Sequence, residues 1–440
     1  MKIVVIGGNA AGMSFAAKYK RNKPLDDVVV IEKRDYLSFG ACGLPYFVGG
    51  MFDDSERMIS RTPEQAIASG LDVHMNTEML SVNRLEKKVL IRQQGIESAI
   101  DYDRLIIATG ARPIMPNFGE YNDEFVYTLT SQEDGIAVKS ALKDSSKQRI
   151  AVIGAGFIGL EVFDAAHGLG KHVTIIEREQ QIMSQQFSPE MVDVVEQAIR
   201  TSGADLKTNT SVLAIRDADH GGYIIQTNKG DVEADIVILS LGFKPNTDKF
   251  DLPKAANGAL LVDEYGATED AHIFAVGDCA VVNHLTLGKA VYLPLATTAN
   301  KQARLMADYL SGKETHMMGF LGSSSLKVLD YELARTGMSE QMAHDHDIHV
   351  SMSVIDDKNQ TDYYPGQEDI KVKLTYQPGT KVLWGGEIIG KKGAVSRINA
   401  LAVAITAKFT TEQLSYLDFA YAPPFSRTWD ALNVAGNVAK

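Results

Sequence analysis

The chain is 440 residues long, 45% apolar and 23% charged, which fits packed cores in about three domains and excludes a disulfide-stapled miniprotein, a fibre or a disordered chain. Forty-four basic against 56 acidic side chains leave a formal charge of −12, the wrong sign for holding a polyanion, so nucleic acid is not expected as the main partner. No apolar run approaches the ~20 residues that cross a bilayer or the ~7 to 15 residue core of a secretion signal, and the 2 cysteines make no disulfide framework, so a cytoplasmic protein without membrane or metal partner is expected.

The first predicted unit is a strand over Lys2 to Ile6, a turn Gly7-Gly8-Asn9-Ala10-Ala11-Gly12, a helix beginning near Met13, and a second strand Val28 to Ile31 ending at Glu32. Glycine is needed in such a turn because the backbone must come close to a pyrophosphate and the helix N-terminus must present free N–H groups to it. Asn9 stands where the second fingerprint glycine belongs, while Glu32, twenty residues after Gly12, keeps the acid that binds a ribose. An ordinary tight strand-to-helix turn is the plain alternative for any single copy.

Next comes Ser38-Phe39-Gly40-Ala41-Cys42-Gly43-Leu44-Pro45-Tyr46. Cys42 has no second cysteine near it, position 47 being Phe, and Cys279 reads as small filler behind a turn. Cys42 therefore needs an external partner, either a mixed disulfide with a small thiol or a sulfenic acid. A buried structural cysteine is the alternative. Neighbouring glycines allow a planar ring to approach, and the helix start that follows is expected to favour the thiolate.

Arg149 to Ile153, Gly154-Ala155-Gly156-Phe157-Ile158-Gly159, a helix from Leu160, and Val173 to Ile176 ending at Glu177 repeat the first pattern with all three fingerprint glycines. Glu177 suits a ribose diol and favours NADH, while Arg178 beside it leaves NADPH possible. Thr268 to Asp278 then places a buried strand before Gly277-Asp278. Beyond about residue 325, strands Ile370 to Tyr376 and Lys381 to Ile389 flank the turn Gln377 to Thr380, and Val395, Ile398, Leu401, Ala402 and Ile405 recur at helical spacing. The expected domains are 1–115 with 245–320, then 116–244, then 325–440.

With Ala108-Thr109-Gly110 and Gly277-Asp278 matching further FAD motifs, the sequence resembles, over its whole length, the flavoprotein disulfide reductases with two dinucleotide-binding domains. The resemblance implies an α/β fold of two Rossmann-like domains, for FAD and NAD(P)H, and a C-terminal α+β dimerisation domain. It implies FAD at Gly7, Asn9, Ala10, Gly12, Glu32, Lys33, Thr109, Gly110 and Asp278, with Asp278 at the ribitol and Glu32 at the adenosine ribose. NADH, or NADPH, falls to Gly154, Gly156, Phe157, Ile158, Gly159 and Glu177.

The Cys42 block looks like that of coenzyme A disulfide reductases and related persulfide reductases. The oxidase branch carries a histidine where Ala10 stands, for peroxide or oxygen. Asp362-Tyr363-Tyr364-Pro365-Gly366 and Asp418 to Ser426 also match the coenzyme A reductases, in which these tyrosines come from the partner subunit. Tyr363 and Tyr421 are thus expected to protonate the departing thiolate, and a homodimer is implied; interface packing is the alternative. Ser14, Lys18, Arg21, Ser38 and Asn300 match positions that hold coenzyme A, the alternative being a solvated helix face. Asn300 replaces a usual histidine, Ala41 a usual asparagine and Trp429 a common lysine, while Arg427 to Asp430 looks like the oxidase branch. The sequence ends at Lys440, and no rhodanese domain is expected.

The expected function is an FAD-dependent NAD(P)H oxidoreductase that reduces coenzyme A disulfide or a related small disulfide through Cys42. The alternatives are an NADH oxidase that reduces dioxygen through a Cys42 sulfenic acid, and a flavin redox sensor without turnover.

Overall fold

The computed structural model describes residues 1–439. Short runs of Val and Ile, buried on both faces, pair in parallel, and helices Ala10–Asn22 and Phe157–Gly168 make the crossovers from the central strands to their neighbours. The first five-stranded sheet has the order Ile273–Ala275, Arg104–Ile107, Lys2–Ile6, Asp27–Ile31, Asp72–His74. The second repeats it as Asp205–Lys207, His172–Ile176, Arg149–Ile153, Ile236–Leu239, Val126–Tyr127, read from the opposite edge. Ile3 and Val5 pack into one core and Val4 and Ile6 into another, as alternation along a doubly covered strand requires.

In each sheet the glycine turn leaves the central strand where the order reverses, the crevice in which such folds bind ligands. Both turn helices start earlier than the sequence suggests, at Ala10 and Phe157 instead of Met13 and Leu160. The reason is steric. The third glycine lies inside the first helical turn, and a Cβ there would meet the first glycine's carbonyl oxygen at 1.8 Å for Gly12 and 2.0 Å for Gly159.

The third domain is a five-stranded antiparallel sheet in the order Ser324–Val328, Tyr331–Gly337, Leu383–Gly390, Asp369–Tyr376, Ser351–Lys358. Helices Ala394–Thr406 and Ala431–Val438 cover one face around Ile398, Leu401 and Leu432. The hairpin's second strand begins at Leu383, not Lys381, because Lys381 turns left-handed at φ 58° and Gln377 N–H closes the loop on Val382 O at 2.9 Å. The fold is α/β, with two dinucleotide-binding folds and a separate α+β domain. No described helix is long and apolar enough to cross a membrane, and no metal-ligand cluster occurs among the described residues.

Candidate functional site

The two glycine turns are alike down to single atoms. Gly7 and Gly154 have φ of 107° and 100°, and a Cβ on either would meet a backbone oxygen, Ala108 O at 2.2 Å or Ser240 O at 2.4 Å. Glu32 accepts from Gly8 N at 2.6 Å and Arg34 N at 3.0 Å; Glu177 accepts from Ala155 N at 2.7 Å and Glu179 N at 2.8 Å. Each acid thus locks its own turn to the end of the second strand, which the sequence repeat alone did not show. Lys33 is exposed beside Glu32. Arg178 is drawn to Glu179 at 2.9 Å, away from Glu177.

Neither turn helix is closed by a capping side chain, so the first N–H groups stay free for an anion. The Asn9 Oδ1 is buried without a partner, and flipping that amide would present its NH2 group instead. A Cβ at Gly156 or Gly110 would meet nothing within 4 Å. Open space over free amides is what a pyrophosphate requires. Phe157 and Ile158, half-buried, open the second helix below it.

Thr109 and Gly110 end the strand Arg104–Ile107 and are fixed by Asn246. Thr109 Oγ1 donates to Asn246 O at 2.7 Å, and Asn246 N donates to Gly110 O at 2.9 Å. Asp278, half-buried after the strand Ile273–Ala275, has its carboxyl pushed up to about 6 by burial alone. A carboxyl disturbed only by desolvation suits the hydroxyl donors of a polyol such as ribitol. The residues present therefore fit FAD at the first turn and a nicotinamide dinucleotide at the second.

Cys42 lies in the short turn Ala41–Gly43 ahead of helix Leu44–Val48. Its loop is tied to the first glycine turn, since Ser38, left-handed at φ 51°, donates its N–H to Gly8 O at 2.9 Å. Gly40 N–H to Met58 O at 2.7 Å holds the other side. Helix Leu44–Val48 packs on Phe157–Gly168, the helix of the second turn, so the thiol lies where the two dinucleotide folds meet. Cys279 is fully buried and its Sγ donates to Ile107 O and Val276 O at 3.3 Å each, as filler does.

The electrostatics at Cys42 run against the sequence expectation. The residue is exposed, yet the thiol is pushed up, first by desolvation from the surrounding protein and then by the Glu161 and Asp278 carboxylates; its own backbone N–H opposes this only weakly. A helix of five residues has too small a dipole to outweigh burial and two acids. Glu161 is itself pushed up to about 7, chiefly by burial, and Tyr46 Oη donates to it at 3.5 Å. Sequence reasoning assigned no role to Glu161 or Tyr46; the available signal was an acid within the apolar run Phe157 to Phe163.

Glu161→Gln removes the charge that opposes the thiolate. Alkylation of Cys42 by iodoacetamide is therefore expected to shift its pH profile to lower pH, with a rate about threefold to tenfold higher near pH 9, where Glu161 is ionised, and less than about twofold higher at pH 7, where about half of it is already neutral. An unchanged profile would show that Glu161 does not act on the thiol.

The remaining candidates form two groups. Ser14, Lys18 and Arg21 share a face of helix Ala10–Asn22 against helix Ala296–Leu310. There Ser14 Oγ donates to Asn300 Oδ1, Lys18 pairs with Asp308 at 3.2 Å, and Arg21 is exposed. The charge of Lys18 is thus partly compensated within the chain.

Tyr363 and Tyr421 are exposed on the third domain, hydroxyl to hydroxyl at 2.8 Å, and that bond pushes Tyr421 above its ordinary value. Their loops are positioned from below. Thr361 Oγ1 donates to Pro423 O at 3.2 Å, Arg397 donates to Asn359 O at 2.8 Å, and Arg397 pairs with Asp430 at 2.6 Å. Asp430 in turn caps helix Ala431–Val438.

Residues 1–303 match the family model described as pyridine nucleotide-disulphide oxidoreductase, and residues 323–432 match the dimerisation domain of that family. Over 442 residues the chain is 33% identical to a Pyrococcus abyssi protein named NAD(P)H sulfur oxidoreductase (CoA-dependent), covering 100% of this chain and 98% of the relative. It is 31% identical to an NADH oxidase of Enterococcus faecalis, covering 100% and 99%. The solved structure of a NAD-dependent persulfide reductase from A. fulgidus superposes with a TM-score of 0.94 at 34% identity, over 100% of this chain and 83% of that one.

Proposed function

The chain belongs to the pyridine nucleotide-disulphide oxidoreductases, FAD-dependent enzymes that draw on NADH or NADPH, and from that membership we propose that it reduces a small disulfide, coenzyme A disulfide first, through Cys42. The observation that carries the reading is an exposed thiol at the junction of two dinucleotide turns, with the second cysteine buried and engaged elsewhere. The flavin, when bound at the first turn, supplies a two-electron store between nicotinamide and sulfur.

The Cys42 thiolate attacks one sulfur of the disulfide; the S–S bond breaks, a Cys42–coenzyme A disulfide forms, and one coenzyme A thiolate leaves. The partner subunit's Tyr421, paired with the partner's Tyr363 in a homodimer, gives the leaving thiolate its proton. The mixed disulfide then takes up the electron pair brought by one NADH and releases the second coenzyme A and the Cys42 thiolate. Each turnover consumes one NADH, one proton and one disulfide and yields two thiols. Ser14, Arg21 and Ser38 hold the nucleotide part of coenzyme A, Lys18 less so because Asp308 competes for its charge.

Tyr421→Phe is expected to lower kcat for disulfide reduction by about 10- to 100-fold with an unchanged KM for NADH, and the double variant with Tyr363→Phe by more. Stopped-flow turnover measures it. A double variant of full activity would make the tyrosines packing residues.

A second reading, NADH oxidation by dioxygen through a Cys42 sulfenic acid, is favoured by the open exposure of Cys42 and by the Enterococcus faecalis relative. Membership of an enzyme family leaves the sensor without turnover unsupported. NADH consumption with coenzyme A disulfide under nitrogen, faster than in air without it, is the expected result. The reverse order would select the oxidase.

A further inference from the structure

The third domain reaches into the second dinucleotide fold through one row of charged side chains. Arg335, Glu387 and Lys373 are direct cross-strand partners on three adjacent strands, so they share one face of the sheet. Glu387 and Lys373 are almost wholly buried, at 3% and 1% exposure. The two Glu387 oxygens accept from Ser188 N at 2.8 Å and Ser188 Oγ at 2.9 Å. Lys373 Nζ donates to Ser188 Oγ at 2.8 Å, Glu190 at 2.7 Å and Glu340 at 2.6 Å.

Ser188 begins helix Pro189–Thr201 and makes no side-chain cap bond of its own; a carboxylate from another domain instead holds its N–H and hydroxyl, as the acid of a capping box holds the residue ahead of a helix. Between Glu177 and Ser188 runs a single loop whose Met183 N–H donates to Ala155 O at 3.1 Å. Ala155 lies between Gly154 and Gly156, and its own N–H is held by Glu177. The chain of bonds from Glu387 therefore ends on the peptide that shapes the glycine turn. A buried ionic row is a poor source of stability compared with apolar packing but is directional.

We propose that Glu387 is a positioning residue for the dinucleotide site of the second fold, fixing the start of helix Pro189–Thr201 and through it the loop that braces the Gly154–Gly159 turn. Nucleotide affinity is thereby set in part by the dimerisation domain. The proposal rests on the reading that this fold binds NAD(P)H.

The test uses the holoenzyme with Glu387→Gln, with Ser188→Ala as the milder variant should the first fail to fold. Glu387→Gln is expected to raise KM for NADH and Kd for NAD⁺ about 10-fold, and Ser188→Ala about threefold, with kcat and KM for the disulfide unchanged. Combining the two should give less than the product of the single effects, since both cut the same contact. Unchanged NADH parameters in both variants, or an equal rise in the disulfide KM, would overturn the proposal. Gly154→Ala is measured alongside. If it too leaves NADH binding intact, the underlying assignment of the nucleotide site has failed; if it alone abolishes binding, only the role of Glu387 has.

Discussion

Cys42→Ser is expected to reduce NADH-dependent disulfide reduction by about 10³-fold or more while FAD stays bound and NADH still reduces the flavin. A serine hydroxyl cannot accept an electron pair by forming and releasing a bond to sulfur, so no partial function survives the change. The other thiol offers no bypass, because Cys279 is buried and hydrogen-bonded to Ile107 and Val276. The oxygen atom is smaller than sulfur and the site is open, so folding is not expected to suffer. Stopped-flow spectroscopy separates the two half-reactions: flavin reduction by NADH at the normal rate, then no reoxidation by disulfide. Full disulfide turnover in this variant would remove Cys42 from the reaction.

Gly154→Ala is the second large effect, directed at the other half-reaction. At φ 100° an L-residue is strained, and the added Cβ would lie 2.4 Å from Ser240 O, a backbone atom that cannot rotate away. The turn must open, and its amides leave the phosphate position. The expected result is a fall of about 10²-fold in kcat/KM for NADH, with normal FAD content and normal disulfide reduction by dithionite-reduced enzyme. Gly7→Ala supplies the mirror experiment, since its Cβ would lie 2.2 Å from Ala108 O. That variant should lose FAD. If Gly154→Ala lost FAD and kept NADH affinity, the two turns would have been assigned in the wrong order.

The turns were legible because their information is local: glycines at fixed offsets after a short apolar strand, and an acid at the end of the next. The chemistry of the thiol was not. Glu161 reaches the Cys42 site only because two helices pack together, and Tyr46 and Glu161 are 115 positions apart in the chain. The expected depressed thiol failed for the same reason. The helix start after Cys42 is visible in the sequence, whereas the burial and carboxylates that outweigh it come from distant segments. The Glu387 to Ser188 bond spans 199 positions and two domains, and no local pattern announces it. Lys18 shows the converse: a solvated face for it is one reading of the sequence and a phosphate contact the other, whereas the helix packs on a distant one whose Asp308 takes up part of its charge.

The mass of Cys42 during turnover bears on all of this at once. Enzyme reduced with one equivalent of NADH under nitrogen, mixed with coenzyme A disulfide and denatured at once in acid, should carry one coenzyme A per chain on the Cys42 peptide. The adduct should be released by dithiothreitol and absent from Cys42→Ser. Rapid consumption of the disulfide with Cys42 recovered only as free thiol, or with the adduct on another residue, would contradict it.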